Sequence, residues 1–210
     1  MLTVTAFKSV PPFAQGVVRD LRVRWACEEA GIPYRVKRVG REDVATAEYR
    51  ALQPFSQVPA IEEDGIRLFE SGAILLYLGE RSELLLPRER AARARATAWV
   101  FAALNSVEPV LQTIAALDFF HADQPWAKEQ RPTAEAAARR RLAQLADALG
   151  EREYLEGAFT VGDLMMGSVL RIARHTELVA EQPRLAAYRA RCEARPAFQR
   201  ALAAQLADFE

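Results

Sequence analysis

The stretch Gln57–Glu80, QVPAIEEDGIRLFESGAILLYLGE, restricts the fold more than any other part of the chain. It opens with a short extended run, Val58-Pro59-Ala60-Ile61. Asp64-Gly65 follows, and that dipeptide between apolar runs signals a two-residue hairpin. A second short strand fits Ile66–Phe69. Glu70-Ser71 then opens a helix, because serine is a favoured N-cap and Gly72 to Leu78 carries the apolar side onward. The stretch therefore reads strand, turn, strand, helix, with a proline at the first strand's mouth and a serine at the helix's mouth.

The segments before it extend the pattern. Leu2–Phe7 (LTVTAF) is rich in β-formers and predicts a first strand. Lys8–Gly16 predicts a loop, since Pro11-Pro12 and Gly16 oppose regular structure. Val17–Ala30 predicts a helix ended by Gly31, with Val18, Leu21 and Trp25 as its apolar stripe and Arg19, Arg22, Glu28 and Glu29 mostly elsewhere. Pro33–Val39 predicts a strand and Val44–Leu52 a short helix. The order is β-α-β-α-β-β-α.

Arg81–Pro87 changes character and reads as a linker, and no convincing strand pattern follows it. Arg88–Leu117 predicts a helix with Trp99, Phe101, Leu104, Val107 and Leu111 as core candidates, bent or interrupted at Pro109. Asp118–Pro132 reads as a connection, and Thr133 as the cap of a helix running to Leu149. Thr160 and Asp163 form a capping box, with Phe159 and Leu164 at hydrophobic-staple positions. Pro183–Ala194 and Pro196–Leu206 predict two last helices. Residues 1–80 thus form an α/β domain, 81–87 a linker, and 88–210 an all-helical domain.

Gln57-Val58-Pro59 and Glu70-Ser71, in this order and spacing, resemble the glutathione transferase family. RVRWACEEAGIPY, the Thr160/Asp163 box and Arg195-Pro196-Ala197-Phe198 resemble it too, so the likeness covers nearly the whole chain. The resemblance implies a thioredoxin-like N-terminal domain with a cis bond before Pro59. It implies a glutathione site built from Gln57, Val58, Pro59, Glu70 and Ser71. That assignment has a physical logic. A proline cannot extend a strand ladder, so the main chain of Val58 is left to pair with an extended peptide. The helix start at Ser71 offers N–H groups and a positive dipole end to a carboxylate, and Glu70 can hold an ammonium. The family's capping box serves folding, its helical domain supplies most of the pocket for an apolar electrophile, and a homodimer is implied.

The implied reaction is attack of glutathione thiolate on that electrophile. A free thiol has a pKa of about 8.5, so a hydroxyl donor beside the sulfur and a helix N-terminus are needed to favour the anion at neutral pH. The family uses a tyrosine ending the first strand, or a serine or cysteine before the first helix. Here Phe7 stands at the tyrosine position, and no cysteine lies in the loop. Ser9 is the only hydroxyl between Phe7 and the first helix and is the candidate donor, with Lys8, Gln15 and Arg19 as rivals. Cys27, deep in the helix, reads as a small buried residue. A thiol-disulfide oxidoreductase of the cysteine type lacks its nucleophile, and an isomerase lacks its serine-cysteine loop. A glutathione-binding protein without catalysis is the other alternative.

The remaining features read as structural. The arginines between Arg88 and Arg95, and Arg139-Arg140-Arg141, are solvated helix faces, in keeping with a net charge of zero, which argues against a nucleic-acid or anionic-membrane surface. His121 and Asp123 read as a surface pair, and no metal site is expected. Trp99 and Phe101 read as core, Trp126 as exposed. No signal peptide is recognisable, the apolar runs are short for a membrane span, and the cysteines make no disulfide framework, so a reducing, cytoplasmic setting is expected.

Overall fold

β1 (Leu2–Phe7) is the middle of the sheet, which is why Leu2 to Ala6 are all buried. The computed structural model describes residues 1–209. β1 runs parallel to β2 (Tyr34–Val39) through the crossover helix α1 (Asp20–Ala30), and antiparallel to β3 (Ala60–Glu63), which turns back into β4 (Ile66–Phe69). The sheet order is β2-β1-β3-β4. Asp64 at φ 48° and Gly65 at φ 85° both lie in the left-handed region, as the tight hairpin turn requires. The expected second helix is split into α2 (Arg41–Val44) and α3 (Ala47–Leu52). The break sits at Thr46, whose Oγ1 accepts from Tyr49 N at 3.1 Å and caps α3. α4 (Ser71–Gly79) completes the thioredoxin-like order.

Two boundaries differ from the sequence expectation. β3 starts at Ala60 rather than Val58, because the Val58–Pro59 peptide is cis and the proline has no N–H for the ladder. α1 starts at Asp20 rather than Val17, after a short 3-10 turn at Pro12–Ala14 and a bend at Gly16, φ 77°.

The chain divides into two compact units, Met1–Leu86 with Arg195–Glu210, and Pro87–Ala194. The expected linker packs in the first unit, with Leu85 and Leu86 buried. α10 (Pro196–Ala207) also belongs there rather than with the helical domain, and covers α1. Trp25 meets Phe198 edge-on at 4.9 Å between ring centroids. Gln205 Nε2 donates to Val18 O and to Asp20 Oδ1, and Arg24 bridges Asp20 and Asp208. α1 is therefore buried on nearly every side from Asp20 to Cys27, Arg22 and Arg24 included, and not along a single apolar stripe.

The second unit is helical apart from one bridge between Glu156 and Ala158. α5 (Arg90–Ala102) passes through a wide turn, Ala103–Val107, into α6 (Glu108–Phe119); Pro109 explains the widening, since it supplies no N–H to the ladder. By length and composition Arg90–Phe119, whose most apolar 18-residue window has a mean hydropathy of 1.4, matches a membrane-crossing helix, but Ala96, Val100, Leu111 and Ile114 are buried in the unit's own core. α7 begins at Pro125 and runs to Leu149, so Pro132 lies inside a helix and not in a connection. Arg131 beside it pairs with Asp118 and Glu135, fixing that turn from outside. α8 (Val161–Leu170) packs against α5 so closely that a Cβ at Gly162 would lie 2.6 Å from Trp99 Cβ. α9 (Pro183–Glu193) closes the unit. Trp99 is half-buried with its indole N–H on Glu156 at 2.8 Å, whereas Phe101, expected in the core, is exposed. On the arginine faces, Arg95 pairs with Glu156, and Arg139 pairs with Glu135 and Glu181.

Candidate functional site

β3, β4 and the start of α4 meet around residues 57–71. The antiparallel register pairs Ala60 with Phe69, so one step further it carries Pro59 toward Glu70. Val58 and Pro59 are buried, and Gln57 is exposed at the rim. The loop before them is shaped by Gln53, a buried side chain whose Oε1 accepts from Phe55 N at 2.7 Å and Gln57 N at 3.1 Å. Ser56 adopts φ 55° in that loop.

The start of α4 is unusual. Its N-cap is Glu70, not Ser71, and Glu70 sits at φ 68°, ψ 115°, with no side-chain hydrogen bond capping the helix among the described residues. A non-glycine residue in that region costs about 1–3 kcal/mol and marks a position whose geometry serves something other than stability. Ser71 does not cap because it lies one residue inside the helix, buried, where its Oγ accepts from Arg22 Nη1 at 3.1 Å. Arg22 is itself buried, so a guanidinium charge lies under the positive end of the helix dipole. The first-turn N–H groups, the dipole and Arg22 together make this end of α4 attractive to an anion.

The loop after β1 holds the other candidates. Phe7 ends β1 and packs against a small cluster of Val39, Val44, Tyr49 and Val58. Lys8 Nζ is held by Asp43 at 3.2 Å and Glu42 at 3.7 Å. Asp43 also accepts from Gly40 N at 2.7 Å; that bond first, and Lys8 second, hold its carboxyl below the ordinary range. Ser9 is exposed and follows directly. Gln15 ends the 3-10 turn and Arg19 occupies the N-cap position of α1. Cys27 is fully buried, and burial pushes its thiol up to about 12, which leaves it inert as a nucleophile. Among the described residues no group of three His, Cys, Asp or Glu could hold a metal ion. Outside this unit His121 packs on the half-exposed Trp126 ring at 4.9 Å.

The structure thus brings Val58, Pro59, Glu70 and Ser71 together, with Gln57 at the edge. Arg22, Gln53, Thr5 and Tyr49 are the residues sequence reasoning missed. Arg22 had one local signal, its place in an otherwise core-facing turn between Leu21 and Val23.

The sequence model of the glutathione S-transferase N-terminal domain matches residues 21–81. A disulfide-bond oxidoreductase of Escherichia coli, YfcG, is 38% identical over 93 residues, 40% of this chain and 43% of its own length. The chain spans less than half the length of the first curated relatives it matches. A glutathione S-transferase of Silene vulgaris is 30% identical over 172 residues, 75% of this chain and 78% of its own. A glutathione transferase of Burkholderia graminis, solved with two glutathione molecules bound per subunit, superposes with a TM-score of 0.80 at 28% identity, over 96% of this chain and 87% of that one. A cis proline facing a strained, uncapped helix start, on this sheet and with these relatives, leads to one conclusion: the chain belongs to the glutathione S-transferase family.

Proposed function

We propose that the chain binds glutathione and delivers its thiolate to an apolar electrophile. The observation that carries this reading is the open N-terminus of α4, with Glu70 held at φ 68° above a buried Arg22–Ser71 pair. The γ-glutamyl carboxylate takes the first-turn N–H groups, and Ser71 Oγ, which accepts from Arg22, donates its own proton to it. Glu70 holds the γ-glutamyl ammonium. The main chain of Val58, outside β3, pairs with the cysteinyl residue, and Gln57 borders it. Ser9 donates to the sulfur, since Phe7 has no hydroxyl and Lys8 is engaged by Asp43. The thiolate attacks carbon, the C–S bond forms, and the leaving group departs with the bonding electrons. A homodimer and a reducing, cytoplasmic setting belong to the same reading; two buried free thiols suit the latter.

Glutathione binding followed by thiolate absorbance tests this. Wild type should bind glutathione, depress its thiol pKa and turn over an aromatic chloride. Ser9→Ala should bind normally but show a raised thiol pKa and slower turnover at neutral pH, partly restored at higher pH. Binding without any depression of the thiol pKa would favour an inert glutathione-binding protein.

A second reading is favoured by the relative named as a disulfide-bond oxidoreductase and by the relative solved with two glutathione molecules. The same thiolate attacks a disulfide sulfur, one thiolate leaves, and a second glutathione resolves the mixed disulfide to glutathione disulfide and the second thiol. With Cys27 and Cys192 both buried, no protein cysteine enters that sequence. Rates with a small organic disulfide against an aromatic chloride separate the two.

A further inference from the structure

A pair of buried hydroxyls spans the cis turn. Tyr49 Oη donates to Gln57 O at 2.8 Å, on the near side of Val58-Pro59. Ala60 N, on the far side, donates to Thr5 Oγ1 at 2.8 Å. Thr5 Oγ1 and Tyr49 Oη lie 3.0 Å apart. Each hydroxyl has one proton, which fixes the direction of the chain. The tyrosine proton goes to Gln57, so Thr5 gives its proton to Tyr49 Oη, its contact to Ala60 O being longer at 3.3 Å. The result is one relay, Ala60 N–H to Thr5 to Tyr49 to the Gln57 carbonyl, closed around two residues. Thr5 and Tyr49 are buried, at 1% and 6% exposure, so water does not compete for these bonds. β1 and α3 are thereby tied to the same two peptide groups, and Gln53 holds the Gln57 N–H from the other side.

We propose that Thr5 and Tyr49 are positioning residues for glutathione: their relay sets the spacing of Gln57 and Ala60 and so the presentation of the Val58 main chain to the peptide. The proposal rests on the reading that Val58 pairs with the cysteinyl part of glutathione. Neither residue touches the sulfur, so the relay acts on binding and leaves the chemical step alone.

The experiment is glutathione titration and steady-state kinetics on Tyr49→Phe, Thr5→Val and Thr5→Ser. Tyr49→Phe and Thr5→Val break the relay without changing shape and should raise Kd and KM for glutathione about 3- to 10-fold, the worth of a hydrogen bond, at near-normal kcat. Thr5→Ser keeps the hydroxyl and should restore wild-type KM. A Leu85→Ala variant, destabilised in the unit's core outside α4, should keep its glutathione Kd. Amide hydrogen exchange on wild type gives an independent decision should the variants not fold: glutathione should slow exchange at Ala60. Wild-type Kd in folded Tyr49→Phe, or exchange at Ala60 unmoved by bound glutathione, overturns the relay. Absence of glutathione binding by wild type overturns the proposed function instead.

Discussion

At the N-terminus of α8 the chain supplies side-chain caps, while at the N-terminus of α4 none is made among the described residues. Asp163, fully buried, accepts from Thr160 N at 2.9 Å, Leu155 N at 2.8 Å and Tyr188 Oη at 3.0 Å. Thr160 Oγ1 accepts from Gly162 N, and Phe159 and Leu164 are buried at the staple positions. α4 has a strained N-cap, and its serine is turned toward an arginine below. Both starts follow a hydroxyl-and-carboxylate pattern in sequence. The difference is where the carboxylate sits: three residues after the hydroxyl it closes the helix, and one residue before it leaves the end open. A closed end serves folding, and an open end leaves backbone N–H groups to an anion from solution, the role proposed above for α4.

Substitutions can break this contrast. The largest effect is expected for Asp163→Ala, which strips four buried donors of their acceptor, the Thr160 hydroxyl being the fourth; it should destabilise by about 3–5 kcal/mol, counting cap loss and unsatisfied donors. Thermal denaturation should show a midpoint lowered by about 10 °C. The folded fraction should bind glutathione normally. Glu70→Ala should do the opposite, weakening glutathione binding by about 1.5–3 kcal/mol, the worth of a charge-assisted bond. Calorimetric titration reads the loss, and kcat at saturation should change little.

Glu70→Gly sharpens the point. Glycine accepts φ 68° without strain, so this variant should bind glutathione poorly yet unfold at a midpoint equal to or above wild type. A gain of about 0.5–1 kcal/mol is expected, and a lower midpoint argues that Glu70 is structural. Ser71→Ala, which removes one hydroxyl, should cost about 0.5–1.5 kcal/mol of glutathione binding in the same titration.

The smallest effect is in pH dependence. Burial pushes Asp163 above the ordinary 3.8, outweighing its hydrogen bonds, so its contribution to stability is greatest below 3.8 and declines as pH rises through the higher folded value. Burial also acts on Asp118, but the bonds from Arg131 and His175 outweigh it and hold the group below 3.8. Its contribution is present above 3.8 and is lost as pH falls through the lower folded value. Denaturant unfolding across the acid range should therefore give opposite slopes for wild type minus Asp163→Asn and wild type minus Asp118→Asn.

What was legible in the sequence was local. β1, the Asp64-Gly65 turn, the α8 box and the proline-led starts of α9 and α10 each depend on residues a few positions apart. The cis proline and Glu70-Ser71 were legible through the family pattern. What joins them was not. Arg22 reaches Ser71 across 49 positions, and Thr5 reaches Tyr49 across 44. A threonine in a strand and an arginine in a helix look like surface until the partner is known. The same applies to α10, whose Gln205 meets Asp20 across 185 positions. Pro132 suggests a helix end in the sequence because proline ordinarily ends one, whereas here charged neighbours hold the turn around it.

The central claim, that the open end of α4 receives the γ-glutamyl carboxylate, is tested most directly by amide NMR on the 15N-labelled chain. Glutathione is titrated beside an analogue lacking that carboxylate. The account predicts that the Ser71 and Gly72 amides shift strongly with glutathione and stay in place with the analogue, while the Thr160 and Gly162 amides of the closed helix do not move with either. Saturable glutathione binding that leaves Ser71 and Gly72 unshifted would contradict it.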